Sequence, residues 1–509
     1  MSIGFFAAVS EVSLWPLAVL VISVAFVVVM ISVIRAHAFL ALILAAILAG
    51  LMAEQLPPPA KARVAKPDSP VVSPDGRPLR NHWVQAVELT SIEFGRTAGG
   101  IAIVIGLATI ISMCLMESGA ADKVVRRFLA FFGERNAGIA LLLSTYVLSV
   151  PIFFDTMFML MVPLARALQL RTGKDYLLYV MAVCCGGVIT HSMTVPHPGP
   201  LAMVENLKID VGVSILAGIV VGLVPLATGW FVCRWLNARL DIPMRETPGT
   251  TLAELRSIVD KPESELPSFA WAITPVLLPI FLISLSSLMV IGKGNDAFVK
   301  LFGGREAFAS AFAFVEFIGN KNVALLIGTL LSMFVLARQK GYSVGKICEL
   351  IGPPLETSGT IILITAAGGA FGLMLRNAGV GEAIQAAAKG HALNMIWLSY
   401  LVAVVIRIAQ GSATVAMLTT SAMMYPIITG GAGLPYDPIY IFLAIGFGGF
   451  AFSWMNDSGF WVVSKLGGLT ETETLKTWTV LLTVNSAVGV LATWVLSLIV
   501  PFPLGKPGQ

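Results

Sequence analysis

Charged side chains stand at a few points inside stretches of sequence that are otherwise apolar, and chemistry is to be expected at these points. Arg407 lies at the end of the apolar run Trp397–Ile408. If this run crosses a membrane, a charge within it is costly unless it faces protein, water or a ligand. Because a guanidinium can hold a carboxylate with two parallel hydrogen bonds, Arg407 is a candidate anion-binding residue. The alternatives are an internal ion pair with Asp457, Asp155 or Glu356, or a side chain that reaches the membrane interface.

Four groups in these stretches could take up and release a proton: Asp155, Asp457, His191 and His197. Histidine titrates near neutral pH, whereas a carboxylate does so only when burial destabilises its charged form. The structural alternatives are an aspartate that caps the start of a helix and a histidine that makes buried hydrogen bonds. The residues alone leave both interpretations open.

The composition places these residues in a membrane. Of the 509 residues, 57% are hydrophobic and only 12% are charged, with a net charge of +4 and a mean hydropathy of +0.86. These values argue against a soluble enzyme, a disordered chain and a nucleic-acid-binding protein. As a helix the first apolar run, Val12–Ile34, is roughly 34 Å long and spans the hydrocarbon core of a lipid bilayer. Similar runs recur along the chain, so we predict an all-α polytopic membrane protein.

Two polar segments divide the chain. A proline-rich extramembrane insert is predicted at residues 55–92, with its prolines concentrated in Gln55–Asn81. A charged polar linker is predicted at residues 241–267. The predicted domains are therefore a first transmembrane repeat at residues 1–240 and a second at residues 268–509.

The two halves look like copies of one unit. Ser149–Asp155 corresponds to Ala409–Val415 at an offset of about 260 residues, and Gly186-Gly187 corresponds to Gly448-Gly449 at nearly the same offset. One such match would be chance, because glycine pairs are common in membrane helices. Several matches in the same order indicate a duplication.

Glycine and proline in the matched segments predict breaks in membrane helices. The predicted breaks are Val150-Pro151, Gly186–Pro200, Gln410–Ser412 and Ser453–Gly459. A break frees backbone amides and carbonyls, which must then be satisfied by a ligand, water or protein. Transporters commonly bind substrate at such breaks, between two repeats. The simpler interpretation, that these residues are merely frequent in membrane helices, explains one break better than two matched pairs.

Five segments carry a recognisable pattern: Pro151–Asp155, Pro196–Pro200, Gly411–Val415, Asn456–Trp461 and Glu473–Trp478. Together they resemble the gluconate permease family, whose members are proton-coupled symporters of sugar acids and related hydroxy acids within the ion transporter superfamily. The resemblance implies two inverted repeats, each with about five transmembrane helices plus a re-entrant hairpin, and broken helices at the substrate site. It also implies alternating access of the elevator type and suggests a homodimer.

The resemblance implies that polar groups at the breaks bind a small anionic sugar acid or hydroxy acid. The predicted substrate-binding residues are Pro151, Asp155, Thr190, His191, Ser192, Thr194, Arg407, Gly411, Ser412, Thr414, Asn456, Asp457 and Ser458. Such an acid needs many donors and acceptors, and its carboxylate suits the amides at helix N-termini. The alternative for a single serine or threonine is helix packing or a hydrogen bond to a backbone carbonyl. Asp457 is the first choice for proton coupling because the family motif surrounds it, and Asp155, His191 and His197 are the other candidates.

The implied fold predicts an orientation in the membrane. Re-entrant hairpins centred on Pro151 and Gly411 leave an odd number of spans in each half, which inverts the second half. Placing both termini on the outer side puts most basic residues of the short loops, such as Arg166, Arg239 and Arg338, on the cytoplasmic side. We therefore expect a multi-pass protein of the cytoplasmic (inner) membrane.

Three alternatives differ in coupling ion or in class. Asn and Ser oxygens beside a broken backbone can also bind Na⁺, so a sodium-coupled carboxylate symporter is the first alternative. An intramembrane metalloenzyme that uses His191 and His197 is remote, because the spacing matches no metalloprotease pattern. A channel fits duplicated helix breaks less well than alternating access does. We predict no enzymatic activity, no cofactor and no metal, with the proton as coupling ion.

Overall fold

All regular structure that the computed structural model describes is helical. The described residues are 15–54, 56, 81–240, 242–245, 262–293, 296–302, 304–380, 383, 394–429, 434–455 and 457–500. The helices of the first half are α1 (Trp15–Ser32), α2 (Ala38–Met52), α3 (His82–Glu117), α4 (Ala120–Phe132), α5 (Ala137–Leu148), α6 (Phe154–Thr172), α7 (Tyr176–Met193), α8 (Pro198–Leu207) and α9 (Val211–Arg239). The helices of the second half are α10 (Phe269–Gly292), α11 (Asp296–Leu301), α12 (Arg305–Ile318), α13 (Lys321–Lys340), α14 (Val344–Asn377), α15 (Met395–Gln410), α16 (Ala413–Thr429), α17 (Ile439–Gly448), α18 (Ser458–Leu466), α19 (Glu471–Thr474) and α20 (Val480–Ile499). Short 3₁₀ turns occur at Glu134–Asn136 and Glu263–Glu265, and a π-helical turn at Leu475–Thr479 joins α19 to α20.

Seven helical segments of the described chain are long and apolar enough to cross a membrane. They are His82–Glu117, Tyr176–Leu207, Val211–Arg239, Phe269–Val290, Lys321–Lys340, Val344–Asn377 and Glu471–Ile499. In α9, for example, Val220, Val224 and Phe231 are exposed on one side while Gly222 and Pro225 are buried on the other. A helix that is apolar on all sides belongs in a protein core or in lipid. The predicted all-α polytopic membrane protein is confirmed.

The end of the predicted proline-rich insert is helical. Helix α3 begins at His82, and the side chain of Asn81 caps it by accepting a hydrogen bond from Val84 N at 2.9 Å. Residues 82–92 of the predicted 55–92 insert are therefore helical. Glu88 and other polar residues lower the hydropathy of these first turns, which hides the start of the helix in the sequence. Residues 57–80 lie outside the described residues.

The order of helices in the first half recurs in the second. Each half contains a long helix (α3, α14), a helix pair interrupted at its tip (α5 and α6, α15 and α16), a second interrupted pair (α7 and α8, α17 and α18) and a final long helix (α9, α20). The packing recurs as well, because α5 contacts α7 as α15 contacts α17, and α7 contacts α9 as α17 contacts α20. This recurrence is what a duplication predicts. The inverted relation of the two halves stays a prediction.

The residues at the interruptions explain why the helices stop there. Helix α15 ends at Gly411, whose φ of 77° lies in the left-handed region that glycine adopts without strain. Helix α8 begins with Pro198, whose missing N–H costs nothing in a first turn. Helix α18 begins after Asp457, whose carboxylate accepts a hydrogen bond from Gly459 N at 3.0 Å. A terminator or a cap therefore stands at each of these three points.

The described part of the linker is attached to the second half. Arg245 donates hydrogen bonds to both carboxylate oxygens of Glu473, at 2.6 and 2.7 Å, and Arg166 Nη2 donates to the carbonyl oxygen of Arg245 at 2.7 Å. These contacts join α6, the linker and α19. Residues 246–261 of the predicted linker lie outside the described residues.

Candidate functional site

Four helices begin at one cavity. The first turns of α6, α8, α16 and α18 contribute Phe154, Pro198, Ala413 and Ser458 to its wall. The cavity has a volume of about 430 Å³, within the roughly 300–1,000 Å³ that is usual for small-molecule sites. The first N–H groups of a helix have no partner inside the helix, and its N-terminus carries a partial positive charge. Four such termini around one cavity favour an anion.

The wall combines aromatic and aliphatic side chains with a few polar ones. The lining residues are Phe153, Phe154, Asp155, Val188, His191, Ser192, Pro198, Ile361, Ile364, Thr365, Arg407, Gly411, Ser412, Ala413, Thr414, Val415, Phe450, Asp457, Ser458, Gly459, Trp478 and Leu482. They come from both halves of the chain. A few polar groups on an apolar wall are typical of a site that orients a small ligand.

Arg407 supplies the fixed positive charge of the cavity. Its side chain is only 2% exposed. Nη1 donates to the carbonyl oxygen of Gly411 and Nη2 donates to Asp457 Oδ2. Nε has no hydrogen-bond partner among the described residues. The ion pair with Asp457 is the internal alternative predicted for Arg407, and the residue lines the cavity at the same time.

Asp457 is held by a network that extends to Trp478. Its Oδ2 accepts hydrogen bonds from Arg407 and from Ser453 Oγ, while Oδ1 accepts from Gly459 N at 3.0 Å. Ser453 Oγ accepts in turn from Trp478 Nε1 at 2.6 Å. Asp457 therefore caps α18 and orients Arg407 at the same time.

Asp155 lies in the first turn of α6 and differs from Asp457 in its surroundings. Asp155 lines the cavity and is exposed. It makes no hydrogen bond or ion pair with the residues that the structure describes. The cavity thus contains one carboxylate that is paired and one that is not.

Two histidines pack against each other beside the cavity, but only one lines it. The rings of His191 and His197 have centroids 4.3 Å apart, and Phe153 packs against both at 6.5 and 5.7 Å. His197 is 1% exposed, and its Nε2 lies 2.5 Å from the carbonyl oxygen of Ser149. Nδ1 of each ring is buried without a partner in the described structure. His191 faces the cavity, whereas His197 lies behind it and joins α8 to the break between α5 and α6.

The cavity brings together most of the predicted site residues. Those on its wall are Asp155, His191, Ser192, Arg407, Gly411, Ser412, Thr414, Asp457 and Ser458. Their role in binding stays a prediction.

Three predicted residues do not line the cavity. Thr190 Oγ1 donates to the carbonyl oxygen of Tyr146, and Thr194 Oγ1 donates to that of Thr190, each at 2.8 Å. Pro151 lines a separate small cavity with Val195 and other apolar residues. Both threonines therefore make the backbone hydrogen bonds expected from the helix-packing alternative, because a buried hydroxyl donates to a nearby carbonyl oxygen. Asn456 lies outside the described residues.

Several wall residues were not predicted from the sequence. Phe153, Phe154 and Trp478 belong to motifs that were recognised, and their aromatic side chains beside the breaks were the available signal. Phe450 follows the glycine pair that ends α17. Ile361, Ile364 and Thr365 lie in the uninterrupted helix α14 and carry no local signal, because only tertiary packing brings α14 to the breaks.

Comparison with known proteins assigns the family. Residues 84–499 match the family model of the GntP family permeases. The chain belongs to the GntP permease family. It is 32% identical over 413 residues to a gluconate permease of Pseudomonas aeruginosa, covering 80% of this chain and 86% of that relative. It is 30% identical over 397 residues to the Gnt-II system L-idonate transporter of Escherichia coli K12, covering 78% and 85%.

A solved structure supports the fold of this GntP-family permease. The YdaH transporter of Alcanivorax borkumensis, whose crystal structure is described as having an unusual topology, superposes with a TM-score of 0.57. The match covers 92% of this chain and 98% of that chain at 14% sequence identity. At this identity the likeness shows the fold alone. The predicted resemblance to the gluconate permease family is confirmed, and the chain is a multi-pass membrane permease.

Proposed function

We propose that this GntP-family permease is a secondary transporter that carries gluconate or a related sugar acid or hydroxy acid together with a proton across the cytoplasmic membrane. The observation that carries the proposal is Arg407, a buried guanidinium that lines the cavity among four helix N-termini. Two relatives, a gluconate permease and an L-idonate transporter, support this class of substrate.

The proposed binding mode follows from the donors around the cavity. The carboxylate of the acid lies near the Arg407 guanidinium and the first backbone amides of α16 and α18, where positive charge is concentrated. Its hydroxyl groups contact Ser412, Thr414 and Ser458, which offer both donors and acceptors. Aromatic and aliphatic side chains pack against the carbon chain and exclude water.

Proton coupling follows from the charge balance of the wall. Arg407 and Asp457 neutralise each other as an ion pair, so an ionised Asp155 leaves the wall with a net negative charge. A second anion bound in the same cavity is then repelled. Protonation of Asp155 removes the repulsion, and because coupling between two ligands is reciprocal, acid and proton bind together. The sequence alone favours Asp457 as the coupling residue, whereas the ion pair of Asp457 favours Asp155.

Alternating access is proposed to be of the elevator type. The interrupted pairs α5–α8 and α15–α18 carry the cavity and move as one unit relative to the long helices α3 and α14. Both termini lie on the outer side and the protein is a homodimer in this proposal. Labelling of single cysteines at positions 208 and 340 with an impermeant thiol reagent tests the orientation, and cross-linking in the membrane tests the dimer.

The test of function is transport by purified protein in liposomes. We expect uptake of labelled gluconate, or of idonate or glycerate, when the lumen is alkaline, and little uptake without a pH gradient. Arg407→Gln is the matched negative control. Uptake that follows a sodium gradient and ignores the pH gradient would replace the proton with Na⁺ as the coupling ion. Absence of uptake of every acid in the panel, with the protein folded, would overturn the proposal.

A further inference from the structure

A second, smaller cavity lies where α8 and α14 end. It has a volume of about 40 Å³ and is named the Lys208 cavity here. Its wall contains Arg96, Glu205, Lys208 and Arg376, together with Tyr425 and small residues of α14 and α16. Three cationic side chains thus converge on a space far smaller than the central cavity.

The charges around the Lys208 cavity are not balanced. Lys321 forms an ion pair with Glu205, and Arg96 lies 3.8 Å from Glu93. Lys208 and Arg376 have no ion pair with the described residues, although the Arg376 guanidinium lies 5.2 Å from the centroid of the Tyr425 ring. The Lys208 cavity is therefore surrounded by more positive than negative side chains.

The surrounding positive charges affect the pKa of Lys208. Burial lowers the pKa of Lys208; Glu205 opposes the shift, and Arg96, Lys321 and Arg376 add to it. An additional negative charge beside Lys208 would stabilise the charged ammonium. The side-chain charges around the cavity therefore favour an anion and oppose the partial negative charge of the helix C-termini beside it.

The two cavities are stacked along the same three helices. Pro198 of α8, Thr365 of α14 and Val415 of α16 line the central cavity. Each of these helices lines the Lys208 cavity seven residues further on, with Glu205, Gly372 and Ala422. Seven residues of α-helix rise about 10 Å. The Lys208 cavity therefore lies about two turns from the central cavity, at the C-terminal ends of α8 and α14 and beside the C-terminal half of α16.

A packed layer separates the cavities in this conformation. Leu201, Met417 and Leu418 are 0–1% exposed. A Cβ atom on Gly368 would lie 3.2 Å from Leu418 Cβ, and one on Gly372 would lie 1.7 Å from Ala422 Cβ. Helices α14 and α16 are thus in close contact between the two sites. An anion could pass from the Lys208 cavity to the central cavity only if these two helices separated.

We propose that the Lys208 cavity is an encounter site that holds the carboxylate group of the incoming acid before it passes between α14 and α16 to Arg407. The inference rests on the proposed function. The Lys208 cavity is too small for a whole sugar acid in this conformation, so it binds the head group alone. It acts from one face of the membrane, which is the outer face in the predicted orientation.

The experiment compares Arg376→Gln with Arg376→Lys and with Lys300→Gln. Lys300 is an exposed cation of α11 that lies outside the Lys208 cavity and serves as the matched control. Labelled gluconate uptake is measured in right-side-out and inside-out membrane vesicles at low and high ionic strength. For Arg376→Gln we expect KM to rise roughly tenfold at low salt in one vesicle orientation only, with kcat within about twofold. High salt should shrink the difference, because it screens the cluster.

The other variants define what would contradict the inference. Arg376→Lys keeps the charge and should keep KM, and Lys208→Gln should repeat the effect of Arg376→Gln if the latter fails to fold. An unchanged KM, an equal change in both orientations, or an equal change in Lys300→Gln would overturn the encounter site. Failure of the unmodified protein to take up any acid would instead overturn the proposed function.

Discussion

Arg407 Nη2 donates to Asp457 Oδ2 while Nη1 donates to the carbonyl oxygen of Gly411, so one guanidinium joins the end of α15, the break that follows it and the start of α18. The side chains of Arg407 and Asp457 are 2% and 12% exposed. Removal of one member of a buried ion pair leaves an uncompensated charge, which costs more than the pair contributes. The geometry therefore makes this pair both the anion-binding element of the cavity and a support for its shape.

Arg407→Gln is expected to abolish acid uptake and to destabilise the protein. The loss of a buried partner costs roughly 3–5 kcal/mol, because Asp457 remains buried without its counter-charge. Thermal unfolding in detergent and uptake in liposomes measure the two effects. The matched control is Lys465→Gln, which removes one member of the exposed pair with Glu471 at 3.5 Å and should change stability by less than about 1 kcal/mol.

The double variant Arg407→Gln/Asp457→Asn separates structure from binding. It should recover much of the thermal stability, since no buried charge remains unpaired, but should not recover uptake. Recovery of uptake would show that Arg407 supports the fold and does not bind the acid.

Asp155→Asn is expected to uncouple transport from the pH gradient. The amide resembles a protonated carboxyl in charge, so the acid should still bind and exchange across the membrane, whereas accumulation driven by the gradient should be lost. Counterflow and gradient-driven uptake in the same liposomes measure both properties. Asp122→Asn is the control, because Asp122 lies on α4 and pairs with Arg126 at 3.2 Å away from the cavity. Normal accumulation by Asp155→Asn would assign coupling to another group.

His191 and His197, whose rings are in contact, are expected to respond differently to substitution. His197→Ala removes a buried ring and its hydrogen bond with the Ser149 carbonyl oxygen, so stability should fall by about 1–3 kcal/mol. His191→Ala should leave the melting temperature nearly unchanged and raise KM, because His191 faces the cavity. Loss of gradient-driven accumulation with intact counterflow in His191→Ala would instead identify a histidine as the proton carrier.

Whether a residue of this site can be predicted from the sequence depends on whether its role is set by its own chemistry and its sequence neighbours or by tertiary packing. Gly411, Pro198 and Asp457 end or cap helices through their own chemistry, so sequence alone places three of the breaks. A charge in an apolar run must find a partner, which predicts that Arg407 faces inward but leaves its partner open. The ion pair with Asp457 comes from tertiary packing.

Residues without a local signal could not be predicted in the same way. Helix α7 is buried almost throughout, so no apolar face separates the residues that line the cavity, such as His191, from neighbours such as Thr190 that do not. Thr365 belongs to the cavity only because α14 crosses the breaks at that point. Hydropathy does not indicate the start of α3, because His82 and Glu88 give its first turns a polar composition while an N-cap at Asn81 fixes the helix.

Gly372→Ala is expected to impair transport, because α14 and α16 touch at this glycine. A Cβ atom there would lie 1.7 Å from Ala422 Cβ and 2.8 Å from Ala422 Cα, so the helices must shift apart. Overpacking of this kind costs roughly 1–3 kcal/mol, and the uptake rate should fall because the packed layer between the two cavities no longer closes.

Gly359→Ala is the matched control on the same helix, since a Cβ atom at Gly359 meets nothing within 4 Å. It should be neutral or stabilise the helix by up to about 1 kcal/mol. Equal uptake rates for the two variants would show that close contact between α14 and α16 at Gly372 is not needed for transport.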